Sequence, residues 1–365
     1  MHKEEGSEVT TEIAELFKKG QTLVKANNYD EAKIVYTKIL ELSENNNYAL
    51  VSLGDIERKC KNYNNAIEHY KHCLIHSPNN NYALFGLADS YKGQHKLKLA
   101  IEIWERYLLL DGNNISVLTR IGDAYRKTNN LKKSKEIYLR ALDLESDNAY
   151  ALIGLGHLFY DFNEYENALH YWTKMYEMNL QPDNIKILTS IGNCHKKLKA
   201  YNNGIYFFTE ALNLDNNNFF ALFGLADCYR GKQEYLKSLE YWNRILTFDP
   251  DNKVILTRAG DAYRNIGNYP EAIKSYSKAI DIAYDEYAVF GLALIAKDEE
   301  RFDDAIQNFT SLVQLKFRNY KLYIELADTY IKTSQKNLAI EVLEIAQKMG
   351  FKSTDINAML MRIKQ

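Results

Sequence analysis

The chain of 365 residues predicts an all-α fold, a solenoid of stacked helix-turn-helix units with a C-terminal capping helix. Three observations carry that expectation. The stretch Tyr82-Ala-Leu-Phe-Gly-Leu-Ala-Asp-Ser-Tyr91 returns as Phe220-Ala-Leu-Phe-Gly-Leu-Ala-Asp-Cys-Tyr229, with looser copies from Tyr150 and Tyr287. A second family, LTRIGDAYR from Leu118, LTSIGNCHK from Leu188 and LTRAGDAYR from Leu256, lies between these copies. One amphipathic segment returning at a fixed period marks an array of stacked units. Within each copy the apolar residues keep the helical period, Leu84, Leu87, Ala88 and Tyr91 sharing one face. Finally, 17 glycines and 4 prolines are too few for a strand-and-turn protein.

Ten registers run in phase, at 13–46, 47–80, 81–114, 115–148, 149–184, 185–218, 219–252, 253–285, 286–319 and 320–353. The step is 34 residues, apart from a two-residue insertion near Gln181-Pro182 and a one-residue deletion before Glu286. Position 8 of every unit is small, from Gly20, Gly54 and Ala88 to Ala293 and Ala327, and so is position 20, from Ala32 to Ala339. Position 24 is aromatic in nine of the ten units, among them Tyr36, Tyr70, Trp104, Tyr138, Trp172, Phe208, Trp242, Tyr276 and Phe309. Small residues at 8 and 20 let two antiparallel helices approach, and the ring at 24 fills the seam to the next unit. The pairs Asn113-Asn114, Asn129-Asn130 and Asn202-Asn203 and the run from Asn216 to Asn218 are expected between helices, where asparagine caps and turns. Pro78 and Pro250 close their units, and Pro270 opens a second helix. Residues 354–365 place Ile356, Met359, Leu360 and Ile363 on one stripe behind Thr354 as N-cap, which predicts a capping helix. Residues 1–12 are expected to be disordered.

Together with Tyr91, Tyr125, Tyr229, Tyr263 and Tyr330 at one recurring position, this pattern resembles the tetratricopeptide repeat family, over residues 13 to about 353. The resemblance implies a right-handed superhelix whose concave face is lined by the first helix of each unit, and a bacterial source is expected with it. Glu57 and His195 depart from the tyrosine position. In this family positions 2, 5, 6, 9, 12 and 13 of the first helix tend to face the groove. Here they alternate with a two-unit rhythm. Odd units carry rings at 2 (Tyr82, Tyr150, Phe220, Tyr287), apolar residues at 5 (Phe85, Ile153, Phe223, Phe290) and glycine at 6 (Gly86, Gly154, Gly224, Gly291). Even units carry Thr119, Thr189 and Thr257 at 5, with Arg120, Ser190 and Arg258 at 6.

A mid-helix glycine costs about 1 kcal/mol against alanine, so four at one position imply that something approaches the backbone there. One reading is packing, either of the neighbouring helix or of the Arg120 and Arg258 arms. The other is a ligand slot flanked by rings. Position 9 is acidic in six units and position 12 basic in seven. Asp123–Arg126, Asp227–Arg230 and Asp261–Arg264 are therefore expected as ion pairs of about 0.2–0.5 kcal/mol each. They read either as a solvated ladder or as a surface showing both signs to a peptide; Asp89 belongs to the same row. The carboxylate clamp of some co-chaperones in this family is not supplied by three successive units, Lys186 and Asn193 being isolated fragments.

Net charge is -2, which with the acidic position 9 argues against nucleic acid, and the short apolar runs argue against membrane insertion. His69, His72 and His76 share a helix face near Cys73, where a soft metal or a merely histidine-rich surface are the two readings; no metal or other cofactor is expected. Cys60, Cys73, Cys194 and Cys228 form no CxxC and read as reduced thiols in the cytoplasm. No nucleophile–base set, phosphate loop or HExxH motif is present, so enzymatic activity is not expected. Two functions remain. One is a scaffold that takes an extended or helical segment of one or more partner proteins in its groove. The other is a structural subunit of a larger envelope- or motor-associated assembly.

Overall fold

The computed structural model describes residues 2–178, 184–351 and 353–364. Among these residues the chain forms twenty-one α-helices and no strand. Two compact halves emerge, Met1–Pro182 and Asp183–Gln365. The first holds the pairs α1 (His2–Lys25) and α2 (Tyr29–Leu42), α3 (Asn47–Lys59) and α4 (Tyr63–His76), α5 (Asn81–Gly93) and α6 (Leu97–Leu108), α7 (Ile115–Lys127) and α8 (Leu131–Leu144), and α9 (Ala149–Asp161) and α10 (Tyr165–Glu177). The second holds α11 (Ile185–Lys197) and α12 (Tyr201–Leu214), α13 (Phe219–Gly231) and α14 (Tyr235–Phe248), α15 (Lys253–Asn265) and α16 (Tyr269–Ile282), α17 (Glu286–Asp298) and α18 (Phe302–Gln314), and α19 (Tyr320–Lys332) and α20 (Lys336–Lys348). The single helix α21 (Thr354–Lys364) closes it.

Local sequence sets both ends of each first helix. Asn46 accepts a hydrogen bond from the Ala49 N–H at 3.1 Å, and Asn80, Asn114, Asn148, Asn184, Asn218, Asn252, Asp285 and Asn319 cap the following first helices in the same way. Each such cap is worth about 1 kcal/mol. At the other end, position 15 of all ten repeats lies in the left-handed region: Asn27, Lys61, His95, Asn129, Asn163, Lys199, Gln233, Gly267, Glu300 and Ser334. That conformation turns the next N–H back onto the helix just finished, as in Asn62 to the Glu57 carbonyl at 2.8 Å and Gln335 to that of Tyr330 at 2.7 Å. Only Gly267 is a glycine there.

Three expectations are corrected. Residues 2–12 lie in α1 rather than apart from the first repeat. Extending an existing helix through Glu- and Lys-rich residues needs no new nucleus. Asn202 and Asn203 stand in the first turn of α12, not between helices, where backbone N–H groups have no intrahelical partner and asparagine is tolerated. At the C-terminus the Asp355 N–H meets Ser353 Oγ at 3.2 Å, so Ser353 caps α21 in place of Thr354. The buried stripe of α21 is the expected one, with Ile356, Leu360 and Ile363 buried and Met359 packed beside them. The insertion at Gln181-Pro182 falls outside the described residues.

The seams explain the glycines. Tyr70 of the second repeat lies where a Cβ on Gly54 of its own repeat, or on Gly86 of the next, would have to be. Tyr138 is held in the same way between Gly122 and Gly154, Phe208 between Gly192 and Gly224, and Tyr276 between Gly260 and Gly291. Every even repeat from the second to the eighth thus sinks one ring between two glycines. Odd repeats carry the larger indoles of Trp104, Trp172 and Trp242, each fully buried. The alternation of rings at position 24 and the alternation of glycine at position 6 are two sides of one packing rule.

Candidate binding surface

Gly86, Gly154, Gly224 and Gly291 are therefore not a ligand slot, because neighbouring rings already occupy the space they leave. Nor do the arginine arms take that room. Arg120 crosses the seam in another direction, its guanidinium over the Phe85 ring at 5.0 Å and 3.2 Å from Asp89. Arg258 repeats this in the second half, over Phe223 at 5.4 Å and 3.5 Å from Asp227.

These contacts make Asp89 and Asp227, at position 9, into junctions between three repeats. Asp89 takes Arg58 from α3 at 3.5 Å and Arg120 from α7, and only 10% of its side chain is exposed. Asp227 takes Lys196 from α11 at 3.4 Å, Arg230 from its own helix at 3.0 Å and Arg258 from α15. Burial lifts the Asp89 carboxyl above its ordinary range, against the pull of Arg120 and Arg58. Asp123 goes the other way. Burial would raise it, but Lys127 and Arg126, both at 2.9 Å, hold it below.

The expected pairs Asp123–Arg126 and Asp227–Arg230 form. The expected Asp261–Arg264 pair does not. Asp261 accepts instead from the Tyr276 hydroxyl at 2.7 Å, as Asp55 does from Tyr70 at 2.7 Å, because the ring clamped by the two glycines ends beside the aspartate. Burial raises the Asp261 carboxyl, against the Tyr276 bond and the Arg264 charge. Arg126 reaches a second carboxylate, Asp161 on α9, at 2.5 Å. The row is thus a partly buried tie between repeats, not a solvated ladder.

Among the aromatic candidates the structure separates two groups. Tyr82, Tyr150, Phe220 and Tyr287 at position 2 are open, with 78%, 74%, 68% and 61% of their surface exposed. Phe85, Phe223 and Phe290 at position 5 are half-buried and belong to the seams. Phe223 stands edge-on to Trp242 at 5.1 Å, and Phe290 packs on Phe309 at 5.8 Å. The threonines at position 5 of even repeats satisfy themselves: Thr119, Thr189 and Thr257 each donate to a carbonyl four residues back. Tyr48, 73% exposed, extends the open row to the second repeat. Its place at position 2 was the signal, hidden because the second repeat lacks the glycine that marks the others.

In the first half the predicted residues line two neighbouring clefts. One of about 480 Å³ has Tyr82, Phe85, Asp55 and Arg58 in its wall. The other, of about 570 Å³, runs past Arg120, Asp123, Arg126, Tyr150 and Ile153, with Lys92, Thr119 and His157 beside them. Ser116 belongs to both. The histidine face of α4 is a different matter. His72 and His76 lie 5.6 Å apart edge to face, His72 meets Asn45 at 3.2 Å, and Cys73 is turned inward to Asn47 at 3.4 Å. Among the described residues no group of three His, Cys, Asp or Glu side chains is arranged to hold a metal ion, and no helix is long and apolar enough to cross a membrane.

A model of the tetratricopeptide repeat family matches residues 16–46, 48–79, 115–148 and 255–286. The four stretches are tetratricopeptide repeats, and the described residues around them form the same succession of paired helices. Two solved structures share the fold. One is a tetratricopeptide repeat protein from Parabacteroides merdae ATCC 43184, at 18% identity over 68% of this chain and 98% of that one, with a TM-score of 0.54. The other is the C-terminal part of a repeat-containing protein from Cytophaga hutchinsonii, at 16% identity over 66% and 98%, with a TM-score of 0.57. No curated protein matches the chain.

Proposed function

We propose that the chain is a protein–protein interaction scaffold, and that the first-helix face of its repeats takes an extended or helical segment of a partner. The observation that carries this reading is the pair of adjoining clefts in the first half, edged by the open rings of Tyr82 and Tyr150 over a floor already neutralised by its own ion pairs. Exposed rings are rigid anchors that bury large area at little entropic cost, and main-chain groups of a peptide find both charge signs along such a floor. In the second half Phe220, Arg230 and Tyr287 are the matching exposed groups. Phe223, Arg258, Asp261 and Arg264 act as their support. Four cysteines without a disulfide suit a reducing compartment such as the cytoplasm.

The test is site-specific photo-crosslinking in the native cell. A benzophenone amino acid in place of Tyr82, Tyr150 or Phe220 is expected to give a discrete polypeptide adduct, while the same group at the outward-facing Ile75 gives none. Equal labelling at all four positions, or none at any, overturns the reading. An adduct that survives purification as a stable complex of fixed mass favours a permanent assembly subunit over a reversible scaffold.

A further inference from the structure

Position 12 of the first helix is basic in seven repeats, and nearly all of these cations are neutralised within the protein. Arg58 has Asp55 at 3.0 Å, Arg126 has Asp123 at 2.9 Å, Lys196 and Arg230 share Asp227, and Lys297 has Asp328 at 2.6 Å. Arg264 lies within the charge field of Asp261. The Lys92 ammonium differs in degree: among the described residues it makes no ion pair and no hydrogen bond, and it feels Asp123 and Asp89 only at a distance. The reason is competition. Asp89, three residues before it, is taken by Arg58 and Arg120, and Asp123, across the seam, is taken by Arg126 and Lys127.

The cations Arg58, Lys92, Arg120, Arg126 and Lys127 are equalled in number by the carboxylates Asp55, Asp89, Asp123, Asp161 and Glu145, but none of these carboxylates pairs with Lys92. Glu145, the other carboxylate on the wall of the cleft, is exposed and accepts from the Asn148 amide at 2.8 Å. Lys92 itself is half-buried and lines the 570 Å³ cleft. A partly desolvated cation with no counter-charge in contact is unfavourable until something supplies one. Burial accordingly pulls the Lys92 ammonium below its ordinary value, against the attraction of Asp123.

We propose that the segment bound in this cleft is acidic, and that one of its carboxylates pairs with Lys92 while Tyr150, Ile115 and Ile153 take its apolar flank. The proposal rests on the peptide-binding reading above and names the chemistry of the partner. A charged hydrogen bond into a half-buried site is stronger than one between neutral groups, so the preference for acid over amide is expected to be large.

The experiment uses the full chain and three pools of short fluorescein-labelled peptides. They share degenerate aliphatic and aromatic flanks and differ only at a central pair: Asp-Glu, Asn-Gln or Lys-Arg. Fluorescence anisotropy is expected to show the acidic pool binding about tenfold or more tightly than the amide pool. Lys92→Gln should abolish that preference with circular dichroism unchanged. Lys132→Gln removes the same charge from an exposed site outside the cleft and should keep the preference. Equal binding of the acidic and amide pools, or an acidic preference that survives Lys92→Gln, overturns this inference and leaves the peptide-binding reading standing. An equal loss in both variants overturns it too, since the effect is then one of net charge. Binding by none of the pools sinks the inference, and absent photo-crosslinks would then sink the underlying reading with it.

Discussion

At Gly224 the Phe208 ring lies where a side chain would begin, and Gly192 closes the ring from the other side. Leucine is the better helix former by about 1 kcal/mol, yet overpacking a filled seam costs about 1–3 kcal/mol. Gly224→Leu is therefore expected to lower the urea midpoint, and a variant as stable as its parent would mean that the ring moves aside freely. Glu57 offers a second single-residue test. It stands at the family's tyrosine position, nearly buried, 2.9 Å from Lys33 and accepting from the Asn62 amide at 2.8 Å. Burial alone would raise its carboxyl, but the bonds from Lys33 and Asn62 and the Lys33 charge hold it below the ordinary 4.5. A depressed folded-state value means that the ionised form stabilises the fold above the unfolded value, and that this is lost as pH falls through the folded one. Glu57→Gln should thus cost about 1–3 kcal/mol at neutral pH, with the difference from wild type shrinking below pH 4.5. A gap that is constant from neutral to acid pH would rule out the charge as its source.

The helices and their pairing were legible in the sequence because they follow from periodicity and from short-range chemistry. Positions 8, 20 and 24 return in phase, and asparagine at the unit ends caps the next helix. The partners of the charges were not legible. Arg58 and Arg120 meet Asp89 from the repeats before and after it, 31 residues away on either side, and only the seam brings them together. The glycines told of a close approach without telling what approached. The choice of Asp261 between Arg264 and Tyr276 likewise depends on where a clamped ring ends. The left-handed residue of each helical turn was hidden for another reason, since ten different contexts use seven residue types at that position. Left-handed backbone costs an L-residue about 1–2 kcal/mol, part of which glycine returns through its freer unfolded chain. Gln233→Gly is expected to raise stability by roughly 0.5 kcal/mol, and Asn129→Gly by less, since asparagine tolerates this region. Paired urea titrations decide it, and a destabilised Gln233→Gly would show that the glutamine side chain holds the turn.

Within each half every repeat leans only on its neighbours, so stability is close to a sum of local seams. The ring clamp adds a rule of grammar to that sum. For the rings clamped in the second, fourth, sixth and eighth repeats, the next repeat carries glycine at position 6, whereas Tyr36 of the first repeat is followed by Ser52; across that stretch a change of two repeats keeps every clamp, as a text in couplets does. Removing residues 81–114 alone would bring Tyr70 against Arg120, where it needs Gly86. Removing 81–148 brings it against Gly154, which already accommodates Tyr138 in that way. The shorter protein is therefore expected to be the better folded of the two, unfolding cooperatively in urea while the single deletion melts earlier by about 1–3 kcal/mol. Equal stability of the two deletions would mean that repeats are interchangeable one at a time. If the couplet rule holds, duplications that lengthened this chain while keeping it folded must have copied about 68 residues at once, and its history is written in pairs.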